Sequence, residues 1–158
     1  MPAESARIGR DWLRRIGERA NPGAVRLFYF PYASIGAAAY RDWGAALLAE
    51  AEAHAVQLPG REDRLFARPF CEMGELPDAL VPDLLAALDR PFAFFGHSMG
   101  AIICWELSRR LKSEQQIEPM RIFVSGCRAC SSSRVVHSLI NRTRDDIVRR
   151  LGHGLKAE

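Results

Sequence analysis

The pentapeptide Gly96-His97-Ser98-Met99-Gly100 constrains the fold of this chain more than any other feature. It follows an apolar stretch at residues 91–95 and precedes a segment with helical periodicity, residues 99–111. A G-x-S-x-G pattern between a strand and a helix is typical of a nucleophile elbow, a tight turn that presents a serine at the carboxyl edge of a sheet. The motif therefore predicts an α/β fold in which Ser98 is a nucleophile.

The residue types around Ser98 suit that turn. Gly96 and Gly100 carry no side chain that could collide with a strained serine backbone or with the following helix. The backbone N–H of Met99, at the helix N-terminus, is expected to donate to a developing oxyanion. A plain helix N-cap is the alternative role for Ser98, but a cap needs no glycine on either side. His97 is adjacent to Ser98 and points away from its hydroxyl in an elbow, so it is not expected to be the base.

The rest of the chain alternates short apolar runs with helical periodicities. Strands are predicted at residues 25–30, 54–58, 91–95 and 121–124, and helices at residues 37–50, 73–88, 99–111 and 143–151. This alternation is typical of right-handed βαβ units, which form a mostly parallel sheet with helices on both faces. Residues 1–22 are predicted to be a peripheral N-terminal lead-in, and residues 23–158 to be one α/β-hydrolase-like domain, C-terminally incomplete.

Composition narrows the classes of partner. The net charge is only +3 and the arginines are scattered, so we expect no nucleic-acid partner. No apolar run approaches the roughly 20 residues of a membrane span, and we expect a cytoplasmic protein without a membrane partner. The four cysteines lack the spacing of a disulfide framework. Cys127 and Cys130 form a Cys-x-x-Cys pair, but no second pair or spaced histidine completes four ligands, so no metal site is predicted.

Several stretches, taken with the elbow, resemble one enzyme family. They are Phe30-Pro31-Tyr32-Ala33, Tyr40-Arg41-Asp42-Trp43, Gln57-Leu58-Pro59-Gly60-Arg61-Glu62, Phe94-Phe95-Gly96-His97-Ser98-Met99-Gly100 and Phe123-Val124-Ser125-Gly126. In order and spacing these stretches are similar to the free-standing type II thioesterases that serve polyketide and nonribosomal peptide synthases. The likeness runs from about Val25 to the end of the chain.

The resemblance implies roles for particular residues. It places the nucleophile on Ser98 and the two oxyanion donors on the backbone amides of Met99 and Ala33. The implied reaction is hydrolysis of an acyl or peptidyl thioester on the phosphopantetheine arm of a carrier protein, through an acyl-serine. The implied partners are acyl or peptidyl carrier protein domains, and the enzyme needs no cofactor because phosphopantetheine is carried by the partner. Ile147 and Leu151 are expected to belong to a lid.

The partners of the serine are not evident. In α/β-hydrolases an Asp or Glu and then a His follow the serine on loops after later strands. After Ser98 the candidates are His137, His153, Asp145 and Asp146, and none follows a convincing further strand. We therefore expect a truncated or frame-shifted chain with little activity, whose unpaired apolar sheet edge favours aggregation or dimerisation.

Two other functions remain open from the sequence. The elbow and fold also occur in esterases and lipases that cleave oxygen esters, and only the Gln57–Glu62 stretch argues against them. A non-catalytic fragment that binds carrier proteins without turnover is the second alternative.

Overall fold

The computed structural model describes residues 12–17, 24–43, 51–127, 136–138 and 149. Its strands are β1 (Leu13–Ile16), β2 (Val25–Phe30), β3 (Ala51–Val56), β4 (Phe92–His97), β5 (Arg121–Ser125) and β6 (Val136–Ser138). They form one sheet in the order β1-β3-β2-β4-β5-β6, in which β1 is antiparallel to β3 and the other pairs are parallel. The predicted α/β class with a mostly parallel sheet is confirmed.

Two α-helices cover one face of this sheet. They are α1 (Glu75–Leu85) and α2 (Met99–Arg110), and both contribute to the same apolar cluster as Phe28 and Phe94. The opposite face carries a 3₁₀ helix, Ala37–Tyr40, where a longer helix was predicted at residues 37–50. Residues 44–50 of that prediction lie outside the described residues, as does the helix predicted at 143–151 apart from Arg149.

The central strands β2 and β4 are buried on both faces. Phe28 and Phe94 pack toward the helices, while Tyr29 and Phe95 pack on the opposite face, and all four side chains are fully buried. Near-continuous apolar runs of this kind are typical of parallel strands that are covered on both sides. The carboxyl ends of these two neighbouring strands are therefore held in fixed relation to each other.

The edges of the sheet differ from the prediction. β1 lies within the stretch predicted to be a peripheral lead-in, and its Ile16, like the preceding Trp12, is buried. Arg14 and Arg15 lie between these two buried residues, and their charge made the segment look like a polar lead-in. At the other side β6, which was not predicted, pairs with β5, so the edge of the described sheet is β6 and not the strand predicted at 121–124. β6 is only three residues long, which is too short for a periodic signal.

The bounds of β3 differ from the prediction, whereas the start of α2 agrees with it. β3 spans Ala51–Val56 instead of the predicted 54–58, and Gln57 already belongs to the loop that follows. Alanine-rich sequence is a weak strand signal, which explains the displaced prediction. α2 begins directly after Ser98, as predicted.

Candidate active site

Ser98 lies in a strained turn between β4 and α2. Its φ is 53° and its ψ is −113°, a region that residues other than glycine rarely adopt. The backbone N–H of Ser98 donates to the carbonyl oxygen of Ser125 at the end of β5, at 2.8 Å. The Ser98 side chain is exposed. The local structure is therefore the strand–turn–helix arrangement that the sequence predicts for an elbow, and strain at such a position is characteristic of functional sites.

The two glycines of the motif are required by close backbone contacts. A Cβ at Gly96 would overlap the carbonyl group of Gly100 and lie 2.6 Å from the nitrogen of Ala101. A Cβ at Gly100 would overlap the carbonyl oxygen of Phe30, at the end of β2. These obstacles are backbone atoms, which cannot rotate away as a side chain can. The absence of side chains thus lets the start of α2 approach the ends of both β4 and β2.

The two predicted oxyanion donors follow neighbouring strands. Met99 is the first residue of α2, and Ala33 lies in an exposed turn after β2. The first N–H groups of a helix have no partner within the helix, so the Met99 amide suits an anionic ligand. In the turn after β2, Ser34 has the positive φ, 69°, and the β-branched Ile35 has a negative φ. Because β2 and β4 are adjacent and parallel, both turns lie at the same edge of the sheet.

His97 contacts β5 and the loop after β2. Its Nδ1 lies 3.2 Å from the hydroxyl oxygen of Ser125, and its ring packs edge-on against Tyr32 at 5.4 Å between centroids. A Cβ at Gly126 would lie 2.7 Å from the His97 ring. His97 thus contacts Ser125 and Tyr32, and its exclusion as the base stays a prediction.

The side chains of His54 and His97 bond to groups other than Ser98. His54, on β3, is 2.8 Å from a carboxylate oxygen of Glu52, and burial lowers the pKa of His54 below its ordinary value. Of the other candidates for a triad, Asp145, Asp146 and His153 lie outside the described residues, and His137 belongs to β6.

A mainly apolar cavity of about 230 Å³ lies beside the elbow. Met99 and Ile103 of α2 line one side of it, and Leu58, Phe70 and Leu76 line the others. Leu65 and Phe66 belong to the connection between β3 and α1, which also contains Leu58 and Phe70, and their side chains are 60% and 100% exposed. An apolar cavity next to a candidate nucleophile suits a hydrocarbon chain better than a polar group.

Sequence reasoning missed the groups that hold the loop after β2. Gln57 is fully buried and binds the amide of Ala37, and Glu62 binds the amides of Gly36 and Ala38. Both belong to the stretch Gln57–Glu62, which carries the family resemblance. Gln57 was predicted to lie within the strand at 54–58, and its burial in the following loop is visible only in the structure.

In the part of the chain that the structure describes, no cluster of three or more His, Cys, Asp or Glu side chains could hold a metal ion, and Cys127 is a free thiol. Cys130 lies outside the described residues. Among the same residues, every helix is too short or too polar to cross a membrane.

Comparison with known proteins agrees with this geometry. The model of the Thioesterase domain family matches residues 25–153. The chain is 38% identical over 102 residues to the gramicidin S biosynthesis protein GrsT of Aneurinibacillus migulanus, covering 65% of this chain and 40% of that protein. It is 40% identical over 133 residues to the medium-chain S-acyl fatty acid synthase thioesterase of Rattus norvegicus, covering 82% and 50%.

Solved structures give the same result for the fold. The type II thioesterase BorB of the borrelidin biosynthetic cluster superposes with a TM-score of 0.68 at 39% identity, covering 72% of this chain and 46% of BorB. The chain thus spans about half the length of these relatives, or somewhat less. It belongs to the thioesterase-domain family, with the α/β-hydrolase fold, and its homologues include type II thioesterases of nonribosomal peptide and polyketide pathways.

Proposed function

We propose that this chain acts as a thioesterase on acyl or peptidyl groups attached to the phosphopantetheine arm of carrier proteins, as an editing or release step in polyketide or nonribosomal peptide biosynthesis. The observation that carries the proposal is the exposed Ser98 at φ 53°, held between Gly96 and Gly100. The family relationship supports thioester hydrolysis over other chemistry on this fold.

The proposed reaction has two steps and passes through an acyl-serine. The Ser98 hydroxyl oxygen attacks the thioester carbonyl, the carbon–sulfur bond breaks, and the thiol leaves with the proton from the serine. Water then attacks the acyl-serine, which releases the carboxylic acid and restores the hydroxyl. The amides of Met99 and Ala33 donate to the oxyanion in both steps, and loss of one such donor lowers kcat by about 10²–10³ in other enzymes.

The cavity beside Met99 offers a place for the acyl group. Leu58, Phe70 and Ile103 supply most of its apolar character, while Arg61 and Glu72 lie at its polar parts. Burial of an acyl chain there releases about 25 cal/mol for each Å² of apolar surface removed from water. A fatty or polyketide acyl group therefore fits the cavity better than a charged substrate.

Turnover of a carrier-bound thioester tests the proposal. The purified chain is mixed with a carrier protein loaded with an acyl-phosphopantetheine, and release of the acid is followed by mass spectrometry. We expect slow hydrolysis, in line with the little activity anticipated from the sequence, and its loss in Ser98→Ala. Ser113→Ala is the matched control, because Ser113 is an exposed serine in the π-helical turn Leu111–Gln115 that follows α2, and its hydroxyl donates to the Arg110 carbonyl (3.2 Å).

The alternatives give different results in the same experiment. Ser98-dependent cleavage of p-nitrophenyl esters without any cleavage of the carrier thioester would indicate an esterase on oxygen esters. Binding of the loaded carrier without turnover would indicate a non-catalytic binding module. Equal rates for Ser98→Ala and Ser113→Ala would exclude Ser98 as the nucleophile.

A further inference from the structure

The loop after β2 is fixed at its start by backbone contacts. We call residues 31–36, which include Ala33, the oxyanion loop. The Tyr40 hydroxyl donates to the carbonyl oxygen of Phe30, immediately before the loop, at 2.9 Å, and Tyr40 is buried. The same carbonyl oxygen packs against Gly100 of α2. The first residue of the loop therefore begins from a fixed point beside the elbow.

The end of the oxyanion loop is fixed by two side chains from the loop after β3. Three consecutive amides, those of Gly36, Ala37 and Ala38, donate to them. The Gln57 Oε1 accepts from the Ala37 N–H at 2.8 Å. The Glu62 carboxylate accepts from Gly36 at 3.1 Å and from Ala38 at 3.3 Å. These amides begin the 3₁₀ helix, and an anion is favourable at such an end.

The two acceptors are held in place by their own contacts. The Gln57 Nε2 donates to the Arg61 carbonyl at 2.9 Å, and an Arg64 guanidinium N–H donates to the Gln57 carbonyl at 2.9 Å. Glu62 itself has a φ of 49°, a conformation that persists only where surrounding contacts impose it. Gly36 permits the approach, since a Cβ there would lie 2.5 Å from the Glu62 carboxyl carbon and 2.7 Å from Gln57 Nε2.

We propose that Gln57 and Glu62 are positioning residues that hold the Ala33 amide in its oxyanion-binding place by clamping three amides, that of the last residue of the oxyanion loop and those of the two residues after it. The inference rests on the proposed function. Neither side chain needs to touch the substrate. The clamp acts through the backbone, because an anchored end three residues from Ala33 leaves the exposed turn at Ala33 and Ser34 little freedom to move.

The test compares Glu62→Ala and Glu62→Gln with Asp63→Asn in the full chain. Glu62 is exposed, so its loss should not prevent folding. Asp63 is the adjacent carboxylate and bonds instead to Arg14 at 2.7 Å, which makes it the matched control. The first readout is the NMR signal and hydrogen exchange of the amides of Gly36, Ala38 and Ala33. The second is kcat and KM for a carrier-bound thioester.

We expect Glu62→Ala to speed exchange at Gly36 and Ala38 about tenfold or more, the effect of losing a hydrogen bond to a charged acceptor. The Ala33 amide signal should shift in the same variant and keep its position in Asp63→Asn. We expect kcat to fall about 10- to 100-fold with KM nearly unchanged, since an oxyanion contact is made in the transition state. Glu62→Gln keeps one acceptor oxygen and should recover part of each effect.

The outcomes separate this inference from the proposed function. An Ala33 signal in Glu62→Ala that matches the Asp63→Asn control overturns the positioning role, whether or not the chain turns over thioesters. A shifted Ala33 signal with unchanged kcat in an active enzyme also overturns it. Absence of Ser98-dependent turnover in the unaltered chain contradicts the proposed function, while the NMR readout still decides whether the clamp positions Ala33.

Discussion

Substitution of Gly100 by alanine probes the contact on which the site depends. The new methyl group would overlap the carbonyl oxygen of Phe30 and lie 2.8 Å from its carbonyl carbon and 3.0 Å from the carbonyl oxygen of Pro31. Contacts of this kind are normally about 3.5 Å or longer. β2 is hydrogen-bonded on both sides, to β3 and β4, and cannot easily move. The start of α2 must therefore shift by roughly 1–1.5 Å away from the end of β2, the separation needed to restore normal contact with the Phe30 carbonyl oxygen.

The crowding at Gly100→Ala should lower the free energy of unfolding. Overpacking of a tight interior site costs about 1–3 kcal/mol, and the better helix propensity of alanine returns at most about 1 kcal/mol. We expect the free energy of unfolding to fall by about 1–2 kcal/mol, and the Tm by roughly 2–8 °C for a chain of this size. A displacement near 1 Å between reacting groups also lowers kcat by about 10².

Gly74→Ala is the matched control for this experiment. Gly74 precedes α1 with a φ of −68°, and a Cβ there meets no heavy atom within 4 Å. The free energy of unfolding of the Gly74→Ala variant should differ from that of the unaltered chain by less than about 0.5 kcal/mol. Both variants are unfolded in urea and followed by circular dichroism. If Gly100→Ala were as stable as Gly74→Ala, the close approach of α2 to β2 would not exist in solution, and the argument for the elbow would fail.

Two further predictions concern buried polar groups. Tyr40→Phe removes the donor to the Phe30 carbonyl (2.9 Å), and we expect a loss of about 1–2 kcal/mol in urea unfolding; an unchanged midpoint would contradict this bond. Burial lowers the pKa of His54, and the hydrogen bond from His54 is the main cause that lowers the pKa of Glu52. The unfolded chain therefore binds these protons more readily, so the free energy of unfolding should decrease as the pH falls below about 6.5, the ordinary value for histidine. His54→Gln should flatten the upper part of that decrease, and an equally steep decrease in that variant would exclude His54 as its source.

The elbow could be predicted from the sequence because its determinants are contiguous. An apolar run, two glycines around Ser98 and a helical periodicity all lie within about twenty residues. The observed helix α2, Met99–Arg110, ends within one residue of the predicted boundary. The alternation of strands and helices likewise predicted the mostly parallel sheet, because a helix between two strands is the usual right-handed crossover between parallel neighbours.

Other features depend on pairings between distant parts of the chain. β1 forms because it pairs with β3, where Leu13 lies opposite Val56. Arg14 and Arg15 interrupt the apolar pattern of β1, so its local sequence does not predict a strand. The same holds for β6, which is defined by its pairing with β5. Short edge strands have weak sequence signals because the neighbouring strand, and not intrinsic propensity, stabilises them.

The sequence alone determined which serine stands at the turn, because a strained backbone conformation needs glycines at fixed positions beside it. Only the tertiary structure decided what supports the opposite side of the site. Gln57 and Glu62 are 20 and 26 residues from the amides of Ala37 and Gly36 that they bind. These hydrogen bonds exist only after β2 and β3 pair side by side, since that pairing brings the two following loops to the same edge of the sheet.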